Sequence, residues 1–156
     1  MQKIELSQGK FALVDDDDYD ELKKYNWHVA NGYAVRNAKV SKGKQKSQRM
    51  HRLITNCPAD MNVDHINHDK LDNRKDNLRI CSTAENLRNQ QMQSVAKTSR
   101  FKGVYFNKNT NKWMAQIQSD DKRKYLGLFE NEIDAAIAYN NAAIAMFGEF
   151  ALINVI

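Results

Sequence analysis

The chain is poor in cysteine, with two in 156 residues. Two cysteines do not make the disulfide framework on which small secreted domains depend, so we expect a protein of a reducing, cytoplasmic compartment. The candidates for a zinc site would be Cys57, His65, His68 and Cys81. Neither a Cys-x-x-Cys pair nor the spacing of a zinc finger is present, so zinc is the less favoured alternative.

Long apolar segments are also absent. No stretch of the sequence is apolar over the roughly 20 residues that a membrane-spanning helix requires. Residues 1–5 do not resemble the start of a signal peptide. We therefore expect no membrane partner.

Acidic residues are missing from one long segment. Residues 22–59 contain nine Lys or Arg and neither Asp nor Glu, in a chain whose formal net charge is +5. A continuous positive segment suits a polyanionic substrate. Lys44, Lys46 and Arg49 belong to a predicted hairpin around Gly43, and we expect them to contact phosphates. A merely solvated loop is the alternative.

The first fifty residues predict a small strand-rich unit. Residues 11–14 form a predicted strand that is followed by four aspartates and a short helix, with acids in its first turn and lysines in its last. The aspartate run lacks the central glycine and the later glutamate of a calcium loop. Residues 33–36 and 48–51 are predicted to pair as strands around the lysine-rich loop. His51 is expected to be a packed, structural residue.

The most informative segment begins at Val63, which ends a predicted strand and leaves Asp64 and His65 at its exit. Turn-forming polar residues follow, and residues 78–80 predict a second short strand. The residues Ser82-Thr83-Ala84-Glu85 match a capping box, so a helix is predicted to begin at Ser82 or Thr83. The predicted order is strand, turn, strand, helix.

The residue types in this segment suit phosphodiester hydrolysis. Asp64 and Asn86, which lies in the first turns of the predicted helix, are hard oxygen donors and favour magnesium or manganese over zinc. His65 has an ordinary pKa of about 6.5 and can accept a proton from water at neutral pH. That role requires a His65 ring that is open to solvent.

Residues 63–79, which read VDHINHDKLDNRKDNLR, closely resemble the signature of the HNH endonucleases, of the free-standing or intron-encoded phage type. The resemblance implies a ββα-metal nuclease with His65 and Asn77 as catalytic residues. It also implies that Asp64 and Asn86 bind Mg²⁺, with Mn²⁺ as the alternative. Asn77 would hydrogen-bond the His65 ring or the neighbouring backbone. Two further candidate phosphate contacts are Arg52 and Arg74.

A second unit begins near Arg100. Residues 103–106, 112–118 and 124–129 predict three strands joined by two polar turns. Asn131 would cap a helix over residues 133–147, which Gly148 ends. Helical spacing predicts which residues of this helix cover one face of the sheet: Ile133, Ala136, Ile137, Asn140, Ile144 and Phe147.

This second unit resembles the ethylene-response-factor (APETALA2-type) DNA-binding domain, through residues 101–104, 112–117, 125–129, 135–144 and 147–154. In that family the sheet lies in the major groove and the helix supports it from behind. The resemblance, with the basic residue that precedes it, implies these DNA contacts: Arg100, Lys102, Tyr105, Asn107, Lys112, Trp113, Gln116, Gln118 and Arg123. For Trp113, packing under the helix is the alternative.

Together these patterns predict an α+β protein with a nuclease domain over residues 1–94 (core 50–92), a linker over 95–99 and a DNA-binding domain over 100–156. The fold class is a strand-rich N-terminal unit leading into a ββα-metal nuclease, plus a three-stranded antiparallel sheet packed on one long helix. The expected activity is metal-dependent cleavage of double-stranded DNA by a monomer, one strand per visit, without a small-molecule cofactor. The alternative is a DNA-binding regulator in which the nuclease hairpin is a scaffold.

Overall fold

The computed structural model describes residues 1–41, 43–89, 98–119 and 122–156. The chain divides into two compact units, Met1–Thr83 and Ala84–Ile156, and both combine antiparallel strands with helices. Residues 95–97 of the predicted linker lie outside the described residues, and the predicted domain bounds remain a prediction. No helix in the described part of the chain combines the length and apolar character needed to cross a membrane.

The first unit consists of three small sheets and short helices. In chain order its elements are β1 (Gln2–Glu5), β2 (Phe11–Val14), α1 (Asp16–Leu22), β3 (His28–Ala30), β4 (Tyr33–Ser41), β5 (Lys44–Arg49), α2 (Met50–Ile54), β6 (Asn62–His65) and β7 (Leu78–Cys81), with α3 (Thr83–Arg88) beginning at its end. The sheets are β1-β2, β3-β4-β5 and β6-β7, all antiparallel. The predicted order of strand, turn, strand and helix over residues 62–88 is confirmed.

One hydrophobic core holds the first unit together. Strand alternation in β1 and β2 sends every second side chain inward, where burial of aliphatic surface stabilises the fold by about 25 cal/mol per Å². Trp27 closes this core, and its indole Nε1 donates to the Leu22 carbonyl at 2.9 Å. The buried members are Ile4, Leu6, Ala12, Val14, Leu22, Trp27, Ala34 and Met50.

The loop of the β6–β7 hairpin is fixed to the N-terminal sheet. Leu13 of β2 donates its amide to the Leu71 carbonyl at 2.9 Å and accepts from the Asn73 amide at 2.8 Å. The Asp15 carboxylate accepts from the Lys75 amide at 2.8 Å. The aspartate run therefore helps to dock the β6–β7 hairpin.

The lysine-rich hairpin is longer than predicted. β4 continues to Ser41 and β5 begins at Lys44, and the two strands are paired as far as the Ser41↔Lys44 position. Lys44 and Lys46 are therefore exposed strand residues and not loop residues. They remain candidate phosphate contacts.

The second unit contains β8 (Val104–Asn107), β9 (Lys112–Ser119) and β10 (Lys122–Phe129) in the antiparallel order β10-β9-β8, followed by α4 (Glu132–Phe147). Asn131 caps α4 as predicted, because its side chain accepts from the Asp134 amide at 2.8 Å. Gly148, with φ of 53°, ends the helix as predicted.

The buried face of α4 differs from the predicted face. Ile133, Ile137 and Ile144 are exposed by 48%, 42% and 54%, so the prediction that they cover the sheet is wrong. Small side chains pack there because they allow close approach: a Cβ atom on Gly103 would lie 2.1 Å from the Tyr139 ring. The buried residues of α4 are Ala135, Ala136, Tyr139, Ala143 and Phe147.

Candidate active site

Asp64 and His65 are the last two residues of β6 and are both buried. Antiparallel pairing places Asp64 opposite Arg79 and His65 opposite Leu78. Asp64 is 7% exposed and His65 is 5% exposed. A buried carboxylate and a buried imidazole require specific partners, since unpaired polar groups are costly in an interior.

Arg79 is one partner of Asp64. The Oδ2 atom of Asp64 accepts hydrogen bonds from Nε and Nη2 of Arg79, at 2.9 and 2.7 Å. The Arg79 side chain is only 12% exposed, so this ion pair is largely screened from water. The motif did not identify Arg79 as a site residue. The strand register identifies it, because it places Arg79 directly opposite Asp64.

The His65 ring is enclosed, and the prediction that it is open to solvent is wrong. Its centroid lies 5.9 Å from the Tyr33 ring and 5.0 Å from the His51 ring. Burial lowers the pKa of His65, and the hydrogen bond that its ring donates to the Asn73 amide oxygen opposes this shift only in part. The imidazole is therefore neutral at neutral pH, which is the form that can accept a proton.

Asn73 faces the His65 ring in the position predicted for Asn77. Asn73 donates from Nδ2 to the Leu71 carbonyl at 3.1 Å, and its Oδ1 lies 3.5 Å from Nε2 of His65. An amide oxygen accepts only from a protonated nitrogen, so this contact favours hydrogen on Nε2 and leaves Nδ1 as the basic atom.

Asn77 instead closes the hairpin loop. Its Nδ2 donates to the Asp72 carbonyl at 2.8 Å, and its Oδ1 accepts from the Asn67 amide at 2.9 Å. Of the two predicted alternatives for Asn77, the structure shows contact with the backbone near His65 and not contact with the His65 ring. Sequence reasoning treated Asn73 only as a turn residue.

His51 lies on α2 beside His65 and is 3% exposed. Its packed position agrees with the prediction. Burial is the main reason that its pKa falls to about 3, and the nearby charges of His65, Arg49 and Arg52 lower it further. Its Nδ1 atom is buried without a hydrogen-bond partner among the described residues. His51 is therefore uncharged at neutral pH and packs against the His65 ring.

Two predicted phosphate contacts are occupied by structural bonds. Arg52 donates to the carbonyls of Met61 at 2.8 Å and Pro58 at 2.6 Å. Arg74 makes a two-point ion pair with Asp72, at 2.7 and 2.6 Å, which lowers the pKa of that carboxyl. These guanidinium groups therefore already bind the protein, and their predicted contact with phosphate stays a prediction.

The donor set suits a hard divalent cation. Asp64 supplies a carboxylate, the oxygen donor that hard divalent cations prefer, and Arg79 donates to its Oδ2 atom. The described residues contain no cluster of three or more His, Cys, Asp or Glu that could hold a metal, so waters and substrate oxygens would complete the coordination. Asn86 lies on α3 beyond the boundary between the units. That Asn86 and Asp64 bind the same metal ion therefore stays a prediction.

The second unit presents most of its predicted DNA contacts on one face of the sheet. Antiparallel register places Gln118 opposite Arg123, and Asn107 opposite Lys112. Side chains alternate between the two faces of the sheet along each strand. Ala115, which packs under α4, therefore lies on the opposite face. The candidate contacts on the open face are Tyr105, Asn107, Lys112, Gln116, Gln118 and Arg123.

Trp113 belongs to the opposite face. It is half-buried, lies 5.1 Å from the Phe106 ring and packs against the core beneath α4. The predicted DNA contact of Trp113 is therefore corrected to core packing. Lys102 is also engaged, since its Nζ donates to the Arg88 carbonyl at 2.9 Å and burial lowers its pKa. Arg100 is exposed and lies over the Phe101 ring.

Comparison with known proteins supports the nuclease assignment. A family model described as HNH endonuclease matches residues 55–88. An uncharacterized HNH endonuclease of Acanthamoeba polyphaga mimivirus is 32% identical over 151 residues, which cover 94% of this chain and 76% of that protein. No solved structure matches.

Two plant proteins match shorter stretches. An AP2/ERF and B3 domain-containing transcription factor of Arabidopsis thaliana is 40% identical over 53 residues, or 34% of this chain and 15% of that protein. An ethylene-responsive transcription factor of the same plant is 43% identical over 56 residues, or 35% of this chain and 30% of that protein. These matches are too partial to assign the second unit. The mimivirus match, which covers nearly the whole sequence, shows that this chain belongs to the HNH endonucleases, hydrolases that cleave DNA.

Proposed function

We propose that the chain is a metal-dependent endonuclease that nicks double-stranded DNA, of the homing or phage type. The observation that carries this proposal is the pair of buried residues at the end of β6, Asp64 and His65. Arg79 holds the carboxylate and Asn73 faces the imidazole. Such held geometry is what hydrolysis of a phosphodiester requires of its acid–base groups.

His65 serves as the general base. Its burial lowers its pKa, so the neutral ring predominates at pH 7. Asn73 favours hydrogen on Nε2, and Nδ1 then takes the proton of the attacking water. Only 5% of His65 is exposed, so this role requires that DNA binding or a local opening admit the attacking water to the edge of the ring.

Asp64 and Asn86 would hold the divalent cation. Their carboxylate and carboxamide oxygens suit Mg²⁺, with Mn²⁺ as the alternative. When bound, the cation supplies Lewis-acid stabilisation of the charge that develops on the phosphate and the departing 3′ oxygen. Arg79 keeps the Asp64 carboxylate in place for this role through two hydrogen bonds.

The open face of the second sheet would hold the DNA. Gln116, Gln118 and Asn107 are side chains that can pair with adenine in the major groove, and Arg123 adds positive charge. All four lie on the face away from α4. The likeness to the ethylene-response-factor domain supports this assignment.

The burial of His65 favours one alternative, a DNA-binding regulator whose nuclease hairpin is a scaffold. A base that water never reaches cannot act. Against this alternative, a scaffold has no need for an Asn73 side chain that faces His65 or for a buried arginine on Asp64. One nicking assay separates the two functions.

The test is nicking of supercoiled plasmid in Mg²⁺, with EDTA to remove the cation. We expect His65→Ala to lower the nicking rate by about 100-fold or more, because general-base catalysis contributes roughly 10² to 10⁴. DNA retention in a gel-shift assay should be nearly unchanged. The matched control is His28→Ala, which removes a half-buried histidine from β3. Nicking by His65→Ala at the parental rate, or by the parent in EDTA, would contradict the proposal.

A further inference from the structure

We propose that Arg49 and Lys70 form a cation clamp around the Tyr33 ring that holds the DNA backbone phosphate next to the one being cut. This inference rests on the proposed function, since it concerns how substrate is held at the same site. Arg49 was an expected DNA contact because of its charge. Lys70 and Tyr33 emerge only from the structure.

Two cations from separate segments converge on one ring. The Arg49 guanidinium carbon, at the end of β5, lies 4.7 Å from the Tyr33 centroid. The Lys70 Nζ atom, from the β6–β7 loop, lies 4.6 Å from the same centroid. The Tyr33 ring is itself 5.9 Å from the His65 ring. Both charges are therefore one aromatic ring away from the candidate base.

The backbone makes room for Lys70. Asn31 and Gly32, with φ of 52° and 83°, form the two-residue turn between β3 and β4, just before Tyr33. A Cβ atom on Gly32 would lie 3.3 Å from Cδ of Lys70. The absence of that side chain lets the Lys70 stem lie along the turn and reach the ring.

Neither Arg49 nor Lys70 forms an ion pair with any residue that the structure describes. The Asp69 carboxylate beside Lys70 accepts instead from the Leu71 amide at 2.9 Å. Two cations on one ring lie within about a Debye length of each other, so they repel. An anion that contacts both cations offsets this repulsion.

The anion that fits is a DNA phosphate. A ring face occupies only part of the donor capacity of an ammonium or a guanidinium, so N–H groups remain for phosphate oxygens. When the scissile phosphate lies at His65, its neighbour on the same strand lies one nucleotide further along. The clamp adjoins His65 through Tyr33, whose ring lies 5.9 Å from the His65 ring, so it is placed to hold a phosphate adjacent to the scissile one.

The first test measures DNA affinity against salt in a His65→Ala background, where the substrate stays intact. Each lost phosphate contact should lower the slope of log K against log salt by about 0.9 and weaken binding roughly eightfold at 0.1 M salt. We expect this for Lys70→Gln and for Arg49→Gln, and recovery in Lys70→Arg. The matched control is Lys3→Gln, since Lys3 also lies over an aromatic ring, that of Phe11 in β2.

The second test locates the phosphate. In single-turnover nicking, each phosphate near the mapped cut is replaced by a neutral methylphosphonate. With the parent protein, a methylphosphonate at one position next to the cut should slow nicking. With Lys70→Gln, the same methylphosphonate should not slow nicking further, because the phosphate contact is already lost. The clamp would be overturned if both variants bound DNA with the parental salt slope. It would also be overturned if the methylphosphonate and Lys70→Gln slowed nicking additively. Absence of nicking by the parent would overturn the proposed function instead, and the salt slopes would still decide the clamp.

Discussion

His51 and His65 pack edge to face, with ring centroids 5.0 Å apart and an interplanar angle of 87°. Burial lowers the pKa of both rings, so each is uncharged at neutral pH. A charged imidazole at either position would be a cation beside another histidine in a poorly hydrated site. Single residues therefore set the protonation state of the candidate base through packing.

The acid sensitivity of folding should depend on His51. Its folded pKa of about 3 lies below its ordinary value of 6.5, so as the pH falls the unfolded chain binds the proton first. The stability from neutral His51 is complete above about pH 6.5 and is lost progressively between 6.5 and 3, by at most about 1.4 kcal/mol per pH unit. Replacement by phenylalanine, His51→Phe, should flatten this dependence.

Urea unfolding at several pH values between 7.5 and 4.5 measures the effect. Comparison of the parent with His51→Phe at pH 7.5 supplies the control, since His51 is then neutral in both the folded and the unfolded chain. If the free energy of unfolding depended on pH equally in the two proteins below pH 6.5, protonation of His51 would not destabilise the fold, contrary to this prediction.

At the scale of elements, α4 shows which features a local pattern can predict. Its start and end were predictable because a capping asparagine and a terminal glycine act on adjacent backbone. Its buried face was not, because both an isoleucine stripe and an alanine-rich stripe follow helical spacing. The sheet selects the alanine stripe, since Tyr139 must lie directly over Gly103.

The cap of α4 should carry a measurable share of stability. Asn131→Ala removes the acceptor of the Asp134 amide and should lower the free energy of unfolding by about 1 kcal/mol. The matched control is Asn141→Ala, an exposed position on the same helix, where alanine should be neutral or slightly stabilising. Chemical denaturation measures both. An equal loss in the two variants would contradict a capping role.

At the scale of the whole molecule, each unit has its own hydrophobic core. The first is centred on Met50 and Trp27, and the second lies between α4 and its sheet. A unit with its own core can unfold separately from its neighbour. This division is compatible with the proposed function, in which the first unit cuts DNA and the second holds it.

Calorimetry should therefore show two unfolding transitions. Asn131→Ala should lower the temperature of one transition and leave the other in place, because the cap touches only the second unit. A His51→Phe change should act on the other transition. A single transition that both variants shift by the same amount would show that the units unfold together.

The sequence alone predicted the candidate site residues Asp64 and His65, the strand and helix order around them, and the cap and end of α4. These features depend on residues close together in the chain, where turn, capping and alternation rules apply. Only the tertiary structure decided that Asn73 faces the His65 ring, that Arg79 pairs with Asp64, and that Lys70 meets Arg49 at Tyr33. Those contacts depend on strand register and on loops that meet across the fold, which residue spacing does not encode.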